Sequence, residues 1–409
     1  MGTGGSPADA SFGEIARQWG RIGCIGFGGP PAHIALLREL CVERRRSLTE
    51  TEFERALAAV NLLPGPASTQ LAIYCAWRLR GTGGALVGGL CFILPGLIMI
   101  LALSALFLSG SPPVWLRGAG MGAGAAVAAV AVRAGLSVAA PIRRRVQGGR
   151  RARVLAYGLA GGIAAAFTGA WLVLVLLACG AIELARTRLA GRMAGVGLLS
   201  LAAWPGLGQR VGGRLADALG RWPLLAASAH EGGAGALVWT AFKVGALAFG
   251  GGFVIVPLMQ ADAVSTYHWM THGQFLNAVA LGQVTPGPVT QTVAAVGYAA
   301  GGFPGALLAA LVAFAPSFSL VLLGATRLQR LLVNEGVLAF LGGATPAAAG
   351  AIIGSAAPLA AALAETWQYA VLAAAAVALL ALRRGVVQTL LLAGCAGVAA
   401  ALLGAPIPH

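Results

Sequence analysis

Lysine occurs once in this 409-residue sequence, at Lys243, and no Gly-x-x-x-x-Gly-Lys precedes it, so the chain has no P-loop. ATP could act only through another subunit. Charge of either sign is scarce, 10% against 58% hydrophobic residues and a mean hydropathy of +0.82, which excludes an ordinary soluble domain. The six cysteines (Cys24, Cys41, Cys75, Cys91, Cys179, Cys395) stand singly, without Cys-x-x-Cys or Cys/His metal spacing, and read as small core residues. The five histidines are scattered and carboxylates are nearly absent from apolar runs, so no convergent acid, base or metal set supports an integral-membrane enzyme; no cofactor is expected. The glycine clusters at 26–29 and 250–252 fit no dinucleotide fingerprint and follow no alternating strand. The net charge of +15 comes from arginines that lie mostly between apolar spans, with no aromatic-basic motif, so they read as topology signals and not as a nucleic-acid surface. Met1 to Ala10 has no basic region leading into an apolar core, and no cleavable signal peptide is expected.

What remains is a polytopic helical membrane protein organised around one stretch that occurs twice. Asn61-Leu62-Leu63-Pro64-Gly65-Pro66 returns, 222 positions on, as Gln283-Val284-Thr285-Pro286-Gly287-Pro288. Proline lacks an N–H and clashes with the preceding turn, so each Pro-Gly-Pro must break its helix inside an apolar segment. Broken backbone at membrane depth survives only where protein or a water-filled cavity satisfies it, which marks a pathway or binding site.

In chain order, a first segment from about 12 to 40 is interrupted at Gly26-Phe27-Gly28-Gly29-Pro30-Pro31 and ends in the basic turn Arg44-Arg45-Arg46. Thr49-x-x-Glu52 reads as a capping box that opens a second segment, broken at Pro64-Gly65-Pro66 and resuming toward Arg78. Four plainer spans follow near 83–109, 117–140, 153–168 and 170–185. The reading divides the chain into a repeat at 1–190, a Gly/Arg/Trp-containing linker at 191–232 and a second repeat at 233–409. The offset of 222 pairs Arg21 with Lys243, Phe27-Gly28-Gly29 with Phe249-Gly250-Gly251, Thr49 with Thr271 and Phe53 with Phe275. By Pro95 and Pro316 the offset has slipped by one residue, and Gln291 stands one place from the repeat partner of Gln70.

Basic residues accumulate on the cytoplasmic side, and here equivalent loops carry opposite signals. Arg44 to Arg46 faces a bare partner at 262–273, while Arg143 to Arg153 faces a bare 356–367. Two inverted-topology repeats are expected. Loop parity then requires the Pro-Gly-Pro segments to be re-entrant hairpins. With segment one crossing, the total is about ten spans, and Arg210, Arg214 and Arg221 keep the linker inside. If segment one also re-enters, the moderately apolar 193–208 stretch supplies an extra crossing.

Half-helices that start near the midplane offer free N–H groups and partial positive charge to an anion. Ser68, Thr69 and Gln70 follow the first break, Thr290 and Gln291 follow the second, and Asn61 and Gln283 precede them. Arg21 and Lys243 sit one turn before the glycine breaks and read as a symmetric pair of cations for the anion. His33 is a candidate proton or anion contact.

With Phe27-Gly28-Gly29-Pro30-x-Ala32-His33, Leu63-Pro64-Gly65-Pro66-x-x-Thr69-Gln70, Arg78-x-Arg80-Gly81, Phe249-Gly250-Gly251-Gly252 and Thr285-Pro286-Gly287-Pro288, the sequence resembles the long, two-domain form of the chromate ion transporter family. The resemblance spans both halves. It implies a multi-pass inner-membrane carrier that exports chromate and confers resistance, with lipid and the oxyanion as its partners. Sulfate or another tetrahedral oxyanion is the rival substrate.

Overall fold

Backbone amides cannot be left unpaired in hydrocarbon, so long apolar runs with few polar side chains must fold as helices. Every regular element of the described residues is helical in the computed structural model. The structure describes residues 10–61, 63, 65–108, 112–145, 150–167, 172–193, 232–248, 253–324 and 334–407. Pro64, Gly250, Gly251 and the linker arginines Arg210, Arg214 and Arg221 lie outside them, as does nearly all of the 193–208 stretch. Four helical stretches, Ala67–Phe107, Val114–Arg143, Val289–Gly324 and Glu335–Ala361, are long and apolar enough to cross a membrane. The chain is an all-α, multi-pass membrane protein.

Helix α1 (Phe12–Ile25) starts at Ser11, whose hydroxyl accepts from the Glu14 amide. Its 14 residues reach about 21 Å, short of a hydrocarbon core of roughly 30 Å. Gly28 and Gly29 adopt left-handed backbone (φ +98° and +75°) and turn the chain into α2 (Pro30–Arg38), which continues as a π-helical turn at Glu39–Arg44. Arg45 then forms an ion pair with Glu14, at the start of α1. The segment expected to cross therefore doubles back, because two arms this short, joined by a glycine turn and tied at their ends, form a hairpin.

The second hairpin follows the sequence expectation. Thr49 and Glu52 form the capping box of α3 (Glu50–Val60), Gly65 turns the chain at φ +117°, and α4 (Ala67–Phe107) brings Arg78 back to Glu52 at 2.9 Å. At Arg80 and Gly81, α4 leaves helical geometry and folds back, placing Gly84 against the Ala76 carbonyl and Gly89 against Ile73.

The second half repeats this plan in α8 (Ala234–Leu247), α9 (Ile255–Gln260), α10 (His272–Val284) and α11 (Thr292–Gly324). The correspondence extends to backbone detail. A π-helical turn recurs at Ala261–Thr266, a capping box at Thr271 and Gln274, and a left-handed residue at Arg46 and again at His268. The reversal in α4 (φ −149° then +55°) recurs at Gly301 and Gly302 (φ −156° then +62°). Trp269 Nε1 donates to the Gly232 carbonyl at 2.9 Å, closing this hairpin at its base as Arg45 closes the first.

The remaining helices are α5 (Val114–Arg145), α6 (Arg150–Phe167), α7 (Leu172–Met193), α12 (Glu335–Gly354), α13 (Ala356–Ala361), α14 (Thr366–Ala376, continued by a π-helical turn at Val377–Ala381) and α15 (Val386–Leu402). They exchange partners between halves. Helix α5 packs most extensively on α15, and α12 on α6 and α7. Gly118 meets Gly397 and Ala401 while Gly122 meets Ala393, so α5 and α15 are antiparallel. The outgoing arms of α4 and α11 are antiparallel too, since Gly89 meets Phe318 and Ala85 clusters with Val321. Outside the hairpins the described residues hold the outgoing arms of α4 and α11 and helices α5, α6, α7, α12, α13, α14 and α15; against the ten spans expected from the sequence, four stretches of the described residues are long and apolar enough to cross. The cysteines also divide differently from expectation: Cys41, Cys75 and Cys179 are buried, but Cys24 and Cys395 are exposed.

Lipid removes the hydrophobic drive between helices, so they associate by close van der Waals packing at small residues. Helices α6 and α12 show this best. A Cβ on Gly161 would lie 1.9 Å from the Ala347 carbonyl, and one on Gly350 would lie 1.8 Å from that of Gly158. Alanine there must push two backbones apart, at about 1–3 kcal/mol, against roughly 1 kcal/mol gained in helix propensity. Gly161→Ala and Gly350→Ala should lower the thermal unfolding temperature in detergent. Gly324→Ala, which meets open space, should leave it unchanged or raise it, and equal effects at all three positions would refute this packing.

Candidate functional site

The two Pro-Gly-Pro turns end in glycines with left-handed backbone, Gly65 at φ +117° and Gly287 at φ +98°. A Cβ on Gly65 would lie 2.5 Å from Gln70 Nε2 and 3.1 Å from Ser317 Oγ, and one on Gly287 would lie 3.1 Å from Gln291 Nε2. The two glutamines thus occupy equivalent places. The one-residue slip falls inside the motif, because three steps separate Pro288 from Gln291 and four separate Pro66 from Gln70. The shorter spacing is taken up by a 3-10 turn at Val289–Gln291 ahead of α11, whereas α4 starts directly as an α-helix at Ala67.

Each tip is held by the opposite half. The Gly287 amide donates to the Gly26 carbonyl at 3.1 Å, and Gln291 Nε2 donates to the Ile93 carbonyl at 2.7 Å. Gly96 comes so close to the second tip that a Cβ there would sit 2.0 Å from the Pro286 carbonyl. The first tip is met by Ser317 and by the Gly245 carbonyl. His33 is fully buried, with Nε2 2.8 Å from the Gly26 carbonyl, Nδ1 3.3 Å from Ser68 Oγ, and its ring edge-on to Phe92.

Donors at the tips outnumber acceptors. Thr69 and Gln70 amides bond back to the Pro66 carbonyl, and the Gln291 amide to that of Pro288, so the amides of Ala67, Ser68, Val289 and Thr290 precede the first intrahelical bonds. Helix α2 adds none, since it opens with Pro30 and Pro31. Thr69 Oγ1, Thr290 Oγ1, Gln283 Nε2, Gln291 Oε1 and Ser317 Oγ are buried without a hydrogen-bond partner among the described residues. An unpaired buried polar group costs about 1–3 kcal/mol, so a cluster of them at two helix N-termini points to a polar ligand. Hydroxyls, amides and the positive ends of helices fit an anion.

The other residues singled out in the sequence are placed as follows. Pro66, Pro286 and Pro288 are buried in the tips, whereas Asn61 is exposed at the end of α3. Gly28 and Gly29 form the first hairpin's turn, with Gly29 against Val289 of the second Pro-Gly-Pro tip. Arg21 and Lys243 are not brought together at the tips. Arg21 is exposed on α1, and Lys243 Nζ lies 2.5 Å from Asp262 Oδ2, which also accepts from Thr240 Oγ1 at 2.8 Å. Asp262 and Ser317 were missed in the sequence. Asp262 has Leu40 as its repeat partner, and the only signal for it was an isolated acid in an apolar half that also holds the lone lysine.

The family model described as "Chromate transporter" matches residues 13–184 and 235–401. The chain is 31% identical over 405 residues to a protein of Cupriavidus metallidurans named "Chromate transport protein", covering 97% of this chain and 94% of the relative. It is 30% identical over 359 residues to a protein of the same name from Pseudomonas aeruginosa (85% and 80% covered). It is 28% identical over 349 residues to the "Probable chromate transport protein" of Synechococcus elongatus (84% of each). No solved structure matches the chain.

The fate of the two cations gives a stability test. Removing Lys243 strands the Asp262 carboxylate, which is 9% exposed, at a cost of about 3 kcal/mol. Lys243→Gln should lower the unfolding temperature clearly, the double variant with Asp262→Asn should recover most of it, and Arg21→Gln should change little. Equal destabilisation by the two single variants would contradict this placement.

Proposed function

The chain belongs to the chromate transporter family, and on that premise we propose that it is a secondary carrier that exports chromate across the inner membrane and confers chromate resistance. The observation that carries the reading is the set of buried polar atoms without partners among the described residues at the two Pro-Gly-Pro tips, the hydroxyls of Thr69, Thr290 and Ser317 and Gln283 Nε2 being its donors. Substrate contacts are assigned to the Ala67, Ser68, Val289 and Thr290 amides, with Thr69, Gln70, Thr290, Gln291 and Ser317 around them. Gly65 and Gly287 are needed because a side chain would fill the space where backbone approaches the ion. Arg21 and Lys243 act at a distance on this reading, since the first is exposed and the second is neutralised by Asp262.

The halves form an inverted repeat on this reading, and the antiparallel pairs α4–α11 and α5–α15 support it. The end of the first half's hairpins carries the ion pairs Arg38–Glu54, Arg44–Glu39, Arg45–Glu14 and Arg78–Glu52. The matching end of the second half has a Tyr267–Trp269 stack. Arginine marks the cytoplasmic side and aromatic residues belong to membrane interfaces, so the first pair of hairpins opens inward and the second outward. A dianion leaving a negative interior gains about 4.6 kcal/mol per 100 mV, enough to drive export without ATP. The donors are neutral and read charge and shape, which keeps sulfate as the second substrate to test.

Vesicles carrying the purified protein should take up chromate under a potential positive inside, and excess sulfate measures selectivity. Gly65→Leu and Gly287→Leu should abolish uptake while inserting normally. Uptake at the wild-type rate in both variants would remove the tips from the pathway. For topology, in a background freed of the six native cysteines, a cysteine at Arg45 should resist an impermeant thiol reagent outside intact cells. One at Ser265 should label, and labelling of both from one side would refute inversion.

A further inference from the structure

His33 is an ionisable side chain wedged between both Pro-Gly-Pro turns. Its Nδ1 reaches Ser68, the second residue of α4, at 3.3 Å, and its Nε2 reaches the Gly26 carbonyl at 2.8 Å. That carbonyl also accepts the Gly287 amide of the other tip. The ring cannot swing away, since a Cβ on Gly26 would lie 2.5 Å from its Cδ2 and Phe92 holds its other side. The second half has Ile255 at the position matching His33, so the device exists once among the described residues.

A carbonyl oxygen only accepts, so Nε2 carries a proton. In the neutral ring Nδ1 is then bare and accepts the Ser68 hydroxyl proton, which points that donor at the imidazole and away from the start of α4. Protonation of Nδ1 reverses the bond: Nδ1 donates, Ser68 Oγ accepts, and the hydroxyl proton is free to turn toward an oxyanion at the Ala67 and Ser68 amides. The reversal also brings one positive charge to a site that has no other cation in contact. The groups packed on the imidazole are Gly26 of the first turn, Ser68 and Phe92 of α4, and no charged side chain among the described residues.

We propose that His33 is a proton-linked positioning residue, taking up one proton from solution with each oxyanion and turning the Ser68 hydroxyl toward it. The only bond made is Nδ1–H, which takes its proton from solution as the ion binds and breaks as the ion departs; with the proton released alongside the dianion, one net negative charge crosses and the potential contributes half as much as for the dianion alone. This rests on the anion reading of the tips, and the test separates the two. Chromate affinity is measured by titration calorimetry on the detergent-purified full chain for wild type, His33→Gln and Ser68→Ala. Between pH ~8 and ~6 the buried ring gains its proton only with the anion, so the wild type should tighten by about tenfold more than either variant. Chromate's own protonation is common to all three and cancels in that ratio. Glutamine can donate to Gly26 and accept from Ser68, so it preserves the joint without the proton, and His33→Leu should bind weakly at every pH. If His33→Gln fails to fold, Ser68→Ala carries the comparison. Variants that keep the full wild-type pH response overturn this inference and leave the anion site standing. A wild type that binds no chromate at any pH overturns the site and this inference with it.

Discussion

The structure depends on one constraint: backbone broken at membrane depth must find its hydrogen bonds in protein. Each broken tip meets groups of the opposite half. Gly287 bonds to Gly26, Gln291 to Ile93, and the first tip lies against Ser317 and Gly245. Neither half could therefore bury its own turns alone. On the proposed reading, a ligand at the tips would sit on the joint between halves. Any movement of one half against the other must break or remake the bonds that shape the site, which couples occupancy to conformation.

Close approach makes the joint possible. Gly23 presses on the Phe92 carbonyl and its repeat partner Gly245 on that of Ala313, with a Cβ at 2.6 and 2.1 Å respectively. These contacts seat α1 on α4 and α8 on α11, so each short arm, unable to span the bilayer, is anchored by backbone packing. Polar ties then fix the outer ends of the hairpins: Glu14 to Arg45 in the first, Gly232 to Trp269 in the third. Packing in depth and polar ties at the rim divide the work, as expected where hydrocarbon favours neither.

Local chemistry was legible in the sequence and distant contact was not. The Pro-Gly-Pro breaks, both capping boxes and the repeat were readable because proline, glycine and Thr-x-x-Glu/Gln act within a few residues. The return of segment one was within reach, since arms of about 14 residues on either side of Gly28-Gly29 are too short to cross. Charge counting in the loops left both a crossing and a re-entry open for this segment. The Gln70–Gln291 equivalence was hidden by one residue, which only the 3-10 turn at Val289 explains. The Lys243–Asp262 pair joins two arms of a hairpin, so the repeat alignment with Arg21 pointed to a symmetric cation pair that the fold does not make.

Some of the differences between the halves fall at the tips. His33 faces Ser68 in the first half where the second has Ile255 in place of the histidine, and Ser317 stands where the first half has Gly96. Lys243 is neutralised by Asp262, whereas Arg21 is exposed beside a repeat that offers Leu40. A strictly two-fold carrier would have inward-facing and outward-facing states of equal energy, each the image of the other. Unequal tips would remove that degeneracy, because both offer hydroxyls and amides but only the first has an imidazole beside them, where the second has Ile255. For the proposed carrier, the repeat would supply alternating access through its symmetry, and the residues that depart from symmetry would set how tightly each state holds its ion.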